Sequence, residues 1–151
     1  MINEDALFDV IDAAVTAAAP PNQPTALTGA VVFSSTRGNV SDQIKTIRIQ
    51  TFGGFLSPQT ASALKEQNND FVIQCLAKTE DVGLEAEQSA QSLADQIGKE
   101  VFALLMSNPT LSGAVCDIDL FDGDENFDRM VIDIGANKYG SFYLYGKINP
   151  V

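Results

Sequence analysis

The chain contains no histidine. That absence removes Ser-His and Cys-His nucleophile pairs, and with them the most common nitrogen ligand for metals. Positive charge is scarce as well: 9 Lys and Arg stand against 20 Asp and Glu, giving a formal net charge of −11 and a sequence pI near 4.1. Affinity for DNA or RNA rests on Lys and Arg displacing counterions from phosphates, so so acidic a chain repels nucleic acid. There are two cysteines, Cys75 and Cys116, too few for a disulfide framework or a four-ligand zinc site. Both fall in apolar, strand-like runs and are expected to be reduced core thiols. No apolar run approaches the ~20 residues that cross a bilayer, and Met1-Ile2-Asn3-Glu4-Asp5 lacks the basic start of a secretion signal. The expectation is a soluble protein made in a reducing cytoplasm. Neither G-x-x-x-x-G-K-[ST] nor G-x-G-x-x-G after a strand occurs, and no internal repeat is visible.

What is present is enough for one folded domain: 151 residues, 45% of them hydrophobic. The strongest pattern runs from Leu84 to Ser107. Ala90, Leu93, Ala94, Ile97, Val101, Leu104 and Leu105 recur three and four residues apart, which predicts a core helix with Glu87, Gln91, Asp95 and Lys99 towards water. Glu85 and Glu87 suit the positive end of its dipole, and Asn108-Pro109 stops it. Gly98 inside the pattern costs about 1 kcal/mol against alanine and therefore points to a close backbone approach, to the sheet or to another subunit. A first helix is predicted over Glu4 to Ala19, capped at Asn3 and ended by Pro20-Pro21, with Pro20 to Leu27 as a surface connector.

Gly29 to Ser34 and Gln43 to Phe52 read as strands that form a hairpin with Arg37-Gly38-Asn39 near its tip, the second strand wetting one face through Arg48 and Gln50. Phe71 to Lys78 reads as a central strand, apolar on both faces. After the long helix, Ala114, Cys116, Ile118 and Leu120 are expected to face inward and Val115, Asp117, Asp119 and Phe121 outward. A strand about Met130, Ile132 and Ile134 follows, then a turn at Gly135-Ala136-Asn137-Lys138. The closing strand spans Ser141 to Ile148, with Phe142 and Leu144 on one face and Tyr143 and Tyr145 on the other. The predicted fold class is α+β: a mixed, largely antiparallel β-sheet packed against an N-terminal helix and one long central helix. Gly53 to Asp70 lacks periodicity yet carries Phe55, Leu56, Ala61, Ala63 and Leu64; it either folds as a short helix on the domain or waits for a partner.

Candidate chemistry is thin. Asp122-Gly123-Asp124-Glu125-Asn126-Phe127-Asp128 spaces carboxylates as calcium loops do, but Phe127 replaces the required glycine and Asp133 the bidentate glutamate. A polar hairpin turn, with no metal, is the favoured reading. Asp117, Asp119, Asp122, Asp124, Glu125 and Asp128 nonetheless make an acidic face that pushes away phosphates or attracts a basic partner. The acids sit where nothing raises a pKa, so no catalytic residue or cofactor is expected. The run Phe142-Tyr143-Leu144-Tyr145 suits half-buried strand positions or an interface better than base stacking.

The order helix, strand pair, long loop, central strand, long helix and closing strands, with the turn Asn108-Pro109-Thr110-Leu111-Ser112-Gly113 leading into Ala114 to Phe121, resembles that of bacteriophage tail terminator and related head-tail joining (neck) proteins. The resemblance implies a virion structural protein, made in the host cytoplasm. It would assemble as a ring, expected to be a homohexamer, on the tail tube protein and join it to the head-tail connector protein. DNA would then pass through the ring without specific binding, and no membrane is involved. It further implies an oligomer or tube interface that includes Phe55, Leu56, Leu64, Tyr143 and Tyr145, with the acidic residues lining the channel or facing a partner. Charge reversal at Asp122, Asp124 and Asp128 is then expected to spare folding and impair assembly or DNA passage. Two rivals remain: a soluble acidic adaptor or regulator that binds a basic protein, and a small acid-base enzyme relying on carboxylates.

Overall fold

In a computed structural model the described residues are 2–18, 25–34, 44–52, 70–79, 83–120, 129–134 and 137–149. The elements run α1 (Ile2–Ala17), β1 (Val31–Ser34), β2 (Lys45–Phe52), β3 (Asp70–Lys78), α2 (Leu84–Ser107), β4 (Asp117–Leu120), β5 (Arg129–Ile134) and β6 (Asn137–Asn149). The six strands form one mixed sheet in the order β1-β2-β3-β6-β4, with β5 also paired to β6. The fold is α+β, with one N-terminal and one long helix on a mixed sheet.

β6 organises the sheet. One edge of it pairs antiparallel with β3 along Tyr139 to Lys147, while the other pairs with β5 through residues 137–142 and then with β4 through residues 146–149. Alternation sends Phe142, Leu144 and Ile148 of β6, Phe71, Ile73 and Cys75 of β3, and Ile47 and Ile49 of β2 to one face. There they join Leu7 and Ile11 of α1 and Ala94, Ile97, Val101 and Leu105 of α2 in a single core cluster. Each large side chain so buried contributes about 1.5–3 kcal/mol.

The helical stripe is borne out, with Leu93 and Leu104 half-buried at its margins. Gly98 is the close approach its sequence position implied: a Cβ built there would lie 2.0 Å from the Phe142 ring. Gly140 makes a second such contact, since a Cβ there would lie 2.5 Å from the backbone of Ala90 and Gln91. Gln91 is not turned to water as expected. Its Nε2 donates to the Ser141 carbonyl at 2.8 Å and its Oε1 accepts the Ser141 N–H at 3.2 Å, which clamps α2 to β6.

Other expectations need correction. β1 and β2 are parallel, pairing Val31 with Thr46 through Ser34 with Ile49, and are not a hairpin. A four-residue strand is only about 13 Å long, so residues 35–44 supply enough chain to return and start again in the same direction. α1 begins at Ile2, which places Asn3 inside the first turn and not at the cap. β6 starts at Asn137, two residues inside the expected turn, with Asn137 opposite Ile134. The end of the expected surface connector is anchored: Leu27 is buried, its N–H donates to Glu100 Oε2 at 3.1 Å, and Lys45 Nζ donates to the carbonyls of Ala26 and Thr28.

The phase of the segment before β4 is also shifted. Val115 is buried and Ala114 and Cys116 are exposed, the reverse of the expected alternation. Leu111, Ser112 and Gly113 all have positive φ (50°, 61° and 88°), so the chain turns through the left-handed region before it extends. Asn108 supports that turn by accepting the Ser112 N–H at its Oδ1. Regular alternation is restored only within β4, where Ile118 is buried between the exposed Asp117 and Asp119.

Candidate functional site

The face of the sheet turned away from the helices carries most of what the described residues offer as a site. β3 is not covered evenly there: Leu76 is buried, but Val72 and Gln74 are half-buried and Asp70 is exposed. Phe33 and Tyr139 are also buried on this face, outside the main core cluster. A groove of about 490 Å³ on the same sheet is lined by Phe33, Ser34, Arg48, Ile49, Gln50, Val72, Gln74 and Tyr143.

Register builds a polar line across the groove. Arg48 of β2 is opposite Gln74 of β3, and Gln74 is opposite Tyr143 of β6. Arg48 Nη1 donates to Gln74 Oε1 at 3.1 Å, and Gln74 Nε2 donates to the Tyr143 hydroxyl at 2.7 Å. A guanidinium only donates, so the Gln74 amide has a single workable orientation. On its other side Arg48 lies over the Phe33 ring, 5.5 Å from the centroid, which fixes the cation in place.

Tyr145 continues the face one step along β6, opposite Val72, and its ring stacks on Tyr143 with centroids 6.4 Å apart and planes 19° from parallel. The two tyrosines lie on the face away from the core, as their alternation implied. Farther along, Asp119 of β4 is opposite Lys147, and Lys147 is opposite Asp70 of β3. Asn149 Nδ2 bonds the carboxylates of both Asp117 and Asp119, holding the two exposed acids on the same face. The structure thus brings together two groups that lie far apart in sequence, the tyrosine pair and the first two acids of the acidic stretch. Phe55, Leu56 and Leu64, and Asp122, Asp124, Glu125 and Asp128, lie outside the described residues.

Arg48, Gln74 and Phe33 were not among the sequence-derived site residues. The only signal for them was an isolated Gln74 in an apolar strand and an outward Arg48 in the preceding one; their meeting requires the three-strand register. Among the described residues no three Cys, Asp or Glu side chains gather as a metal set would, and no helix is long and apolar enough to cross a membrane. Cys75 is fully buried and burial pushes its thiol up, whereas Cys116 is exposed, which corrects the expectation of two core thiols. A second, more open groove of about 600 Å³ lies between the end of α1 and the second half of α2, walled by Ala14, Ala17, Leu27, Ala103 and Leu104. Comparison of the sequence with protein-family models and with curated proteins finds no match.

Proposed function

We propose that the protein is a structural subunit of a phage tail, one that assembles into a ring, caps the tail tube and joins it to the head connector while leaving a channel for DNA. The observation that carries this reading is the two-sided sheet. Helices α1 and α2 cover one face, and the other presents a groove and a stacked, half-buried tyrosine pair. Large aromatic side chains half out of water, beside fixed polar groups, suit a protein-protein contact. A closed ring needs two different patches on each copy, and the tyrosine groove and the acidic strand β4 are two such patches. The net charge of −11 suits a channel through which DNA slides without adhering.

The adaptor reading draws on one observation of its own, the outward display of Asp117 and Asp119, which would attract a basic protein surface. Native mass spectrometry of the protein, alone and with a tail tube subunit, separates the two. A fixed ring mass that binds the tube protein is the expected result. A chain that stays monomeric at every concentration, ignores the tube protein and captures a basic partner would replace the ring reading with the adaptor.

A further inference from the structure

The polar line across the sheet has a direction. Arg48 donates to Gln74, and Gln74 donates to Tyr143, so the Tyr143 oxygen already accepts. Both ends of the line are therefore donors: the remaining guanidinium N–H groups at one end and the phenolic O–H at the other. Among the described residues no acceptor takes the Tyr143 proton. Among the described residues Arg48 is the one charged side chain lining the groove, in a chain where acids outnumber bases 20 to 9. A concave site crossed by a polar line that ends in donors on both sides, around a cation held on an aromatic ring, is complementary to carboxylates, and Ser34 and Gln50, which also line it, can donate as well as accept.

The same chain carries that complement. Asp117 and Asp119 lie on β4, the last strand in the sheet order, where Asn149 holds their carboxylates outward. They cannot reach Arg48 within one subunit, because β3 and β6 lie between β2 and β4. Three steps of about 4.8 Å separate the strands by about 14 Å. We propose that the Arg48–Gln74–Tyr143 groove receives the acidic β4 of a second copy of this chain, with Arg48 and Tyr143 donating to its Asp117 and Asp119 carboxylates. The contact joins two different patches, so when each copy offers its groove to one neighbour and its β4 to another it runs from copy to copy in one direction, as a ring requires. This rests on the ring reading above and names the surfaces that make it.

The test is a charge exchange read by sedimentation velocity and native mass spectrometry on the full chain. Arg48→Glu is expected to raise the concentration needed for half-assembly by at least about tenfold, because it sets an anion against anions in a desolvated contact. Tyr143→Phe, which removes only the donor, is expected to weaken assembly by about three- to tenfold. The double variant Arg48→Glu with Asp119→Arg restores opposite charges and is expected to recover most of the loss, while Asp119→Arg alone is impaired. Circular dichroism melts confirm that each variant is folded; Arg48 and Asp119 are exposed, so their folds are expected to persist. A wild-type chain that never assembles overturns both this contact and the ring. Assembly that occurs but is indifferent to Arg48→Glu, or a loss that the double variant does not recover, overturns this contact and leaves the ring standing.

Discussion

At the scale of single residues, the two cysteines show what neighbours in sequence do and do not reveal. Cys75 and Cys116 sit in equally apolar runs, yet one is buried in β3 and the other is exposed just ahead of β4. Alternation from β3 is unbroken, so Cys75 falls on the core face with Phe71 and Ile73. Alternation into β4 is reset by the left-handed turn at Leu111 to Gly113, and no count of apolar residues anticipates three successive positive φ values. The consequence is chemical. A cysteine attacks thiol reagents as its thiolate, and Cys75 is both unreachable and held protonated by burial. In the folded protein Ellman's reagent is expected to titrate one thiol per chain promptly, and the second only when urea unfolds it. Prompt release of two equivalents would mean that β3 opens under native conditions. Buried Glu4 makes a related case, accepting the Thr51 hydroxyl at 2.8 Å where α1 meets β2. Thr51→Val keeps the shape and deletes the donor, and is expected to cost about 1–3 kcal/mol in urea unfolding.

At the scale of elements, the docking of α2 on β6 is the joint most exposed to test. Two glycines and one glutamine make it: Gly98 receives the Phe142 ring, Gly140 receives the helix backbone at Ala90, and Gln91 bonds both backbone groups of Ser141. Intrinsic propensity favours Gly98→Ala by about 1 kcal/mol, but the new methyl would overlap the base of a buried ring, so the net effect is expected to be a loss of about 1–3 kcal/mol. Gly140→Ala is expected to cost more than Gly98→Ala, because it meets backbone instead of a side chain that can turn. Gln91 Nε2 also donates to Asp95 Oδ1 at 2.9 Å, so Gln91→Ala only removes the clamp's bonds, whereas Gln91→Glu sets a carboxylate oxygen against both Asp95 and the Ser141 carbonyl and is expected to be the worse of the two in denaturant midpoint. Much of this joint was legible beforehand, since the 3.6-residue stripe of α2 and the period of two in β6 each specify a face, and the odd glycine marked the contact. The clamp was not, because Gln91 is polar and lies at the stripe's edge, where a count of apolar positions assigns it to water. The parallel pairing of β1 was equally hidden: a short apolar strand, a polar stretch and another strand look the same whether the chain reverses or returns. The Arg48–Gln74–Tyr143 line was out of reach for a third reason, since its members are 26 and 69 residues apart and meet only through the register of β2, β3 and β6.

At the scale of the whole molecule, the net charge and the proposed contact pull in opposite directions, and their ranges differ enough to separate them. Two copies of charge −11 about 30 Å apart in water repel by about 17 kcal/mol if unscreened, falling to about 6 kcal/mol at 0.01 M salt and below about 0.5 kcal/mol at 0.15 M, where the screening length is about 8 Å. A carboxylate hydrogen-bonded to Arg48 sits about 3 Å away, inside the screening length at either salt. Raising salt from about 0.01 to 0.15 M should therefore relieve the repulsion and spare the contact, so assembly is expected to tighten over that range, as read by sedimentation velocity. A steady weakening from the lowest salt upward would mean that long-range attraction drives association, contrary to the picture of like-charged copies joined by a local fit. A second variant distinguishes the two forces by sign. Replacing Asp117 and Asp119 with asparagine removes two of the 20 acidic residues and takes the net charge from −11 to −9. If total charge governed assembly, the less repulsive chain would associate more tightly. If the β4 carboxylates fill the groove of the next copy, it associates less tightly in spite of the smaller charge, and that is the expected result.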